Sequence, residues 1–304
     1  MSFNNSVNIV NKKFVVYTVL IGSYDNILQP LVIDERFDYV LFSDITNRDS
    51  IGVWKLKSIP YSNDDLTRVS RYPKMHPHKL LGEYLASLYI DANVQIIGKE
   101  IYDRVVECYE KNIDWAGVQH PYRDCIYDEA YAIFGLDTEE NIFRWCHRLR
   151  QEKYPRHRGL FENNIIFRLH NKKTLEIDSL WWTLYEQYTR RDQLTLFYVL
   201  YKVKEVEVAL LLSREMLLSV LIHKHNAKKS STRSIKVSFW EHARNRCRNG
   251  LVERKRKYED FHYWLYGQNP NMARTILFIW GVCTLLLLGL IIKYKTYKRH
   301  NNDK

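Results

Sequence analysis

The stretch that decides the fold is Ser87-Leu88-Tyr89-Ile90-Asp91-Ala92-Asn93-Val94. Its opening residues are strand-like, and they run straight into an acid and then an amide. In an open α/β sheet, ligands collect beyond the carboxyl ends of strands. Asp91 is therefore expected at the mouth of a crevice, with Asn93 two positions on and on the same side. Oxygen ligands at that spacing suit a hard divalent cation, and a cation there suits a diphosphate. The same residues also suit a strand that ends in an Asx turn.

Upstream, Phe14 to Ile21 is a nearly continuous apolar, β-branched run, the pattern of a strand buried on both faces of a parallel sheet. It ends in Gly22-Ser23-Tyr24-Asp25, a turn that offers backbone N–H groups and the Tyr24 ring. A second strand over 39–42 ends in Ser43-Asp44, and a third runs from Val53 to Ile59. Strands with polar groups at their ends describe a nucleotide crevice. Between them and Asp91, residues 64–84 read as a helix broken by Pro73 and Pro77. That segment carries Arg71, Lys74, His76, His78 and Lys79, cations able to neutralise phosphates or simply to cover a helix surface.

Downstream, helices are expected over 99–111, 124–135, 138–153, 174–188, 194–203 and 206–225, with strands at 115–118 and 165–168. The last strand ends in His170-Asn171. Trp181 and Trp182 suit a core or groove wall, or a carbohydrate platform. Asp192 suits an N-cap or first-turn acid of the helix after it.

A chain of 304 residues can bury one core, or one core plus an appendage. Cys108, Cys125, Cys146, Cys247 and Cys283 contain no C-x-x-C pair, which speaks against a disulfide framework or a structural zinc site. The polar N-terminus has no apolar core of a secretory signal. Thr275 to Ile292, TILFIWGVCTLLLLGLII, carries no charge and spans roughly 27 Å as a helix, which predicts a membrane anchor. Both its flanks are basic, with the larger cluster at 244–257, so a cytoplasmic main body is favoured. That cluster suits anionic headgroups or a solvated helix face. The net charge of +11 allows nucleic-acid binding, but no recognition motif is present and none is expected.

Taken together, the segments 17–25 (YTVLIGSYD), Phe42-Ser43-Asp44, Arg71 to Lys79, Tyr89 to Asn93, His120 to Ala130 (HPYRDCIYDEA), Gly159 to His170 (GLFENNIIFRLH), Trp181-Trp182 and Arg191-Asp192-Gln193 resemble a known family. It is the glycosyltransferase-like domain shared by bacterial polysaccharide-locus proteins and plant proteins of mucilage synthesis. The resemblance covers residues 12–205 and implies a GT-A-like, Rossmann-like mixed sheet flanked by helices. A helical basic juxtamembrane region (206–270), the transmembrane helix (275–292) and a short basic tail (293–304) would follow.

What the resemblance implies is a hexosyltransferase, which the apolar stretch 275–292 would anchor to a membrane. It would move a sugar from a nucleotide donor, UDP-sugars favoured, to a glycan or lipid-linked acceptor. Asp91 and Asn93 stand where such enzymes hold Mn²⁺ or Mg²⁺, and His170 where a third ligand is found. Asp44 falls at the base or ribose, while Arg71, Lys74, His78 and Lys79 face the pyrophosphate. Asp192 is the first candidate for base or charge stabiliser, and Glu162 the second. Two other classes compete. One is a zinc hydrolase of a lipid built on His76, His78, His120, His170 and Asp91, and the other a transferase-like membrane scaffold without chemistry.

Overall fold

The computed structural model describes residues 13–22, 24–133, 136–212 and 216–225, with 272, 275–276, 278–283, 286–287 and 289 near the C-terminus. Its centre is an eight-stranded mixed sheet in the order β3-β4-β2-β1-β5-β8-β7-β9. The strands are β1 (Phe14–Leu20), β2 (Phe37–Ser43), β3 (Ser50–Ile51), β4 (Trp54–Lys57), β5 (Ala86–Ile90), β7 (Trp115–Gln119), β8 (Phe161–Leu169) and β9 (Val208–Leu210). A separate ribbon pairs β6 (Val94–Ile96) with β10 (Val220–Ile222), antiparallel.

The apolar run at 14–20 is buried along its whole length, as a strand covered on both faces must be. Alternate side chains feed two cores. Tyr17, Tyr89 and Trp115 pack on one face, and Val16, Leu88 and Phe167 on the other. The first core is closed by α1 (Leu66–Met75), α4 (Ile126–Ala132), α5 (Glu139–Gln151), α6 (Lys172–Tyr188) and α7 (Gln193–Lys202), the second by α3 (Glu100–Glu110). Helix α2 (Pro77–Leu80) follows α1 after a break at His76. β1 is parallel to both β2 and β5, which lie on its two sides. The chain order therefore reverses at β1 and β5, and a crevice opens beyond their carboxyl ends.

Two features stand apart: the direction of β8, on which the sequence reading is silent, and the segment 206–225, where it is overturned. β8 runs antiparallel to both β5 and β7, so its carboxyl end meets the amino end of β5. The expected helix over 206–225 is instead β9, a 3₁₀ turn (Met216–Ser219) and β10. The Val206-Glu207-Val208 alternation has strand period, and β9 finds its partner on β7, in parallel. α7 ends at its C-cap Val203, and Glu205, at φ 58°, turns the chain before β9.

Most of the expected juxtamembrane region lies outside the described residues, as does Gly135, the last residue of the helix expected over 124–135. Among the described residues no helix is long and apolar enough to cross a membrane. The expected span 275–292 lies partly outside them, and its described positions are helical. Cys108, Cys125, Cys146 and Cys283 form no disulfide.

Candidate active site

Beyond the ends of β1 and β5 lies a cleft of about 570 Å³, lined by residues that include Tyr24, Arg71, Lys74, Asp91, Asn93, Glu162 and Asp192. Three walls build it.

The first wall is the end of β5. Asp91 leaves the strand and accepts a hydrogen bond at Oδ1 from the Tyr89 hydroxyl, 2.6 Å away. The chain then turns, with the Val94 N–H donating to the Asp91 carbonyl. An Asx-type capping role is thus left unused by the Asp91 carboxylate, which stays partly exposed to the cleft. Asn93 Nδ2 donates to the His223 carbonyl at 2.9 Å. Its Oδ1 has no partner among the described residues. His223, just past β10, thereby fixes the amide, and Ile222 and His225 close one side of the cleft. His225 Nδ1 lies 2.7 Å from Asp25 Oδ2, and its ring packs near Tyr24.

The second wall is α1 and the loop before α7. Helical spacing puts Thr67, Ser70, Arg71 and Lys74 on one face of α1, and all four line the cleft. Asp65 caps α1 by accepting from Thr67 N and binds Arg190 through two charged hydrogen bonds of 2.7 and 2.6 Å. Asp137 holds the same loop from behind, accepting from Arg190 N and the Thr189 hydroxyl. Trp181, wholly buried, donates from Nε1 to the Asp192 carbonyl at 3.0 Å. It is a core strut beneath Asp192, not a sugar platform, whereas Trp182 is only half-buried and packs edge-on to Tyr61 and Tyr72.

So clamped, Asp192 makes no side-chain cap on α7. Its Oδ2 lies 2.6 Å from Lys74 Nζ and 3.6 Å from Arg71 Nε. Burial alone would raise the Asp192 carboxyl; Lys74 and Arg71 overcome that and hold it well below the usual carboxylate range. Burial pushes the Lys74 ammonium down despite Asp192 and Asp91. Lys74 also sits 4.8 Å from the Tyr89 ring centre and 3.6 Å from Asp91 Oδ1.

The third wall is the amino end of β8. Because β8 is antiparallel, its start reaches the cleft and brings Glu162, Asn163 and Asn164. Asn164 accepts at its carbonyl from the Asp91 N–H at 2.8 Å. Burial, then Asp91, then Glu129 raise the Glu162 carboxyl. Asn163 and Asn164 went unassigned in the sequence, where their only signal is a polar triplet ahead of an apolar strand.

Four expected residues fall outside the cleft lining. His170 ends β8 at the far end of the sheet, where its Nε2 lies 2.9 Å from the Ser87 hydroxyl at the start of β5; strand direction is the reason. His78 lies beyond the break after α1 and pairs with the buried Asp178 at 3.1 Å, which also meets Arg168 at 3.2 Å. Lys79 is exposed on α2. Asp44 is exposed past β2 and acts at one remove, its Oδ2 accepting from Gly22 N at 2.8 Å. Gly22 has φ +62°, where glycine is favoured, and begins the loop that carries Tyr24 to the cleft.

The histidines of the zinc alternative do not converge on Asp91. His76 binds the Tyr72 carbonyl, His78 binds Asp178, His120 accepts from the N–H groups of Tyr122 and Arg123, and His170 meets Ser87. Among the described residues one group of metal-ligand type, Cys125, Asp128 and His157, has its donor atoms within 4.8 Å of one another. Arg156 occupies Asp128 at 2.7 Å, Asp124 occupies His157 at 2.8 Å, and none of the three lines the cleft.

Comparison with known proteins adds three findings. Among solved structures, the apo form of the bifunctional glycosyltransferase WbbM is similar, with a TM-score of 0.41 and 10% identity over 66% of this chain. The match spans 39% of that longer chain. No curated protein sequence matches. The family described as "TOD1/MUCI70, glycosyltransferase-like domain" matches residues 1–225, about three quarters of the sequence, and the chain belongs to that family.

Proposed function

We propose that this chain is a metal-assisted glycosyltransferase of GT-A organisation. It takes a sugar from a nucleoside-diphosphate donor, UDP-sugars favoured, and passes it to a hydroxyl of a glycan or lipid-linked acceptor. The observation that carries this reading is Asp91. A carboxylate braced by Tyr89 stands open to a cleft at the switch point of the sheet, facing the cations of α1. Membership in a glycosyltransferase-like family points the same way.

The donor set fits a hard cation. Asp91 offers carboxylate oxygens, and Asn93, with its nitrogen committed to His223, offers Oδ1. Two protein oxygens suit Mg²⁺ or Mn²⁺, which fill their remaining positions with water and phosphate oxygens. A bound cation supplies charge against the departing diphosphate.

The chain's own residues do the rest. Arg71 and Arg191 line the cleft and offer donors to phosphate oxygens. Glu162 is better suited than Asp192 to take the acceptor's proton, because its carboxyl is raised toward the working range while Asp192 is held far below it. Asp192 keeps Lys74 and Arg71 in place and presents negative charge toward the reacting carbon. In the transfer, the acceptor oxygen bonds to the anomeric carbon, its proton passes to Glu162, and the bond to the nucleoside diphosphate breaks.

Residues 275–292 would tie the domain to a membrane, with its nucleotide-sugar supply on the cytoplasmic side. The deciding experiment is calorimetric titration of the full chain with UDP, with and without Mn²⁺. Metal-dependent binding that Asp91→Ala abolishes is expected. Absence of any nucleotide binding would favour the scaffold reading.

A further inference from the structure

β8 enters the cleft out of register with its neighbour. Glu162, Asn163 and Asn164 all line the cleft. Ile166 pairs with Gly117, but Glu162 already pairs with Val118, so residues 163–165 have no partner on β7. This is a bulge, the usual way a strand re-aims side chains beside a site. Gly117 makes room for it, since a Cβ there would sit 2.6 Å from the Phe161 ring.

The bulge leaves Asn163 only 4% exposed and Asn164 7% exposed, and among the described residues neither Oδ1 nor Nδ2 of Asn163, nor Oδ1 of Asn164, has a hydrogen-bond partner. An amide buried without partners is destabilising in the free protein. A second amide with a bare acceptor beside it makes neglect by the fold a poor explanation. An uncharged group that both donates and accepts can satisfy both ends of such an amide. Sugar hydroxyls have that chemistry, whereas phosphate offers acceptors only.

We infer that Asn163, assisted by Asn164, is the hydroxyl-recognition subsite for the transferred sugar, and that it sets which neutral pyranose is accepted. This rests on the nucleotide-sugar reading above, in which Asp91 holds the diphosphate end. The Asp91 N–H bonded to the Asn164 carbonyl keeps the two subsites adjacent. Sites built to bond a hydroxyl discriminate strongly against analogues that lack or misplace it, because their own polar atoms are then stranded.

The test compares UDP, UDP-glucose, UDP-galactose and UDP-N-acetylglucosamine by calorimetry on the full chain with Mn²⁺. Native protein is expected to bind at least one UDP-sugar more tightly than UDP. In Asn163→Ala and in the volume-filling Asn163→Leu that advantage is expected to fall by about tenfold, the worth of one or two hydrogen bonds. UDP itself, lacking the sugar, should bind all three proteins alike. Asn163→Leu removes an unpaired amide and is expected to keep or raise the thermal midpoint. The inference is overturned if the UDP-sugar advantage survives both substitutions, if native protein shows no such advantage, or if Asn163→Leu lowers the midpoint and weakens UDP equally. Failure of native protein to bind UDP at all overturns the transferase reading as well, so the two failures are distinguishable.

Discussion

Lys74 Nζ lies 2.6 Å from Asp192 Oδ2 and 3.6 Å from Asp91 Oδ1, joining the carboxylates of two cleft walls through one buried ammonium. The Lys74 side chain is 1% exposed and that of Asp192 5%. Breaking such a pair strands a charge. Lys74→Ala is therefore expected to cost about 3–5 kcal/mol in urea unfolding. Asp192→Asn also strands Lys74, and the double substitution should cost clearly less than the sum of the two. Additive single losses would show that the contact carries no coupling.

Tyr89 tests the bracing of Asp91. Its hydroxyl donates the 2.6 Å bond to Oδ1, and groups that orient a ligand carboxylate govern metal affinity. Tyr89→Phe is expected to weaken Mn²⁺-dependent UDP binding by roughly 10- to 100-fold with little change in fold. Unchanged metal dependence would remove Asp91 from the ligand role proposed for it.

His170 separates the two ends of the sheet. Burial lowers it to about 4, so the folded chain holds this ring neutral where the unfolded chain, near pH 6.5, protonates it. Between those values the unfolded state binds more protons, and stability falls as pH is lowered from about 6.5 to about 4, by at most about 3 kcal/mol from this group. In His170→Gln the acid loss of thermal midpoint should be shallower, with Mn²⁺–UDP affinity untouched. A loss of metal-dependent affinity in this variant would return His170 to the site.

Local pattern made half of the site legible. Asp91 follows a strand run, and Arg71 and Lys74 recur at helical spacing, so both could be placed from neighbours in sequence. Strand direction has no such local code. His170 and Glu162 flank one apolar run, and only the pairing of β8 against β5 decides which end reaches the cleft. The same pairing and its bulge hid Asn163 and Asn164. Residues 206–225 were misread because β9 and β10 owe their state to partners on β7 and β6, distant in sequence, and such contacts outweigh helical propensity in short apolar segments.

Glu162 and Asp192 divide the labour of the carboxylates, and pH separates them. A base works only when deprotonated, so activity that depends on Glu162 falls on the acid side of a carboxyl raised by burial, by Asp91 and by Glu129. Asp192, held far down by Lys74 and Arg71, stays charged throughout that range and contributes no limb to the profile. Glu162→Gln is expected to lower kcat by about 10²- to 10⁴-fold and to abolish the acid limb of its pH dependence, with donor KM little changed. Asp192→Asn should lower the rate while leaving that limb where it was. An acid limb that persists in Glu162→Gln and vanishes in Asp192→Asn would exchange the two roles.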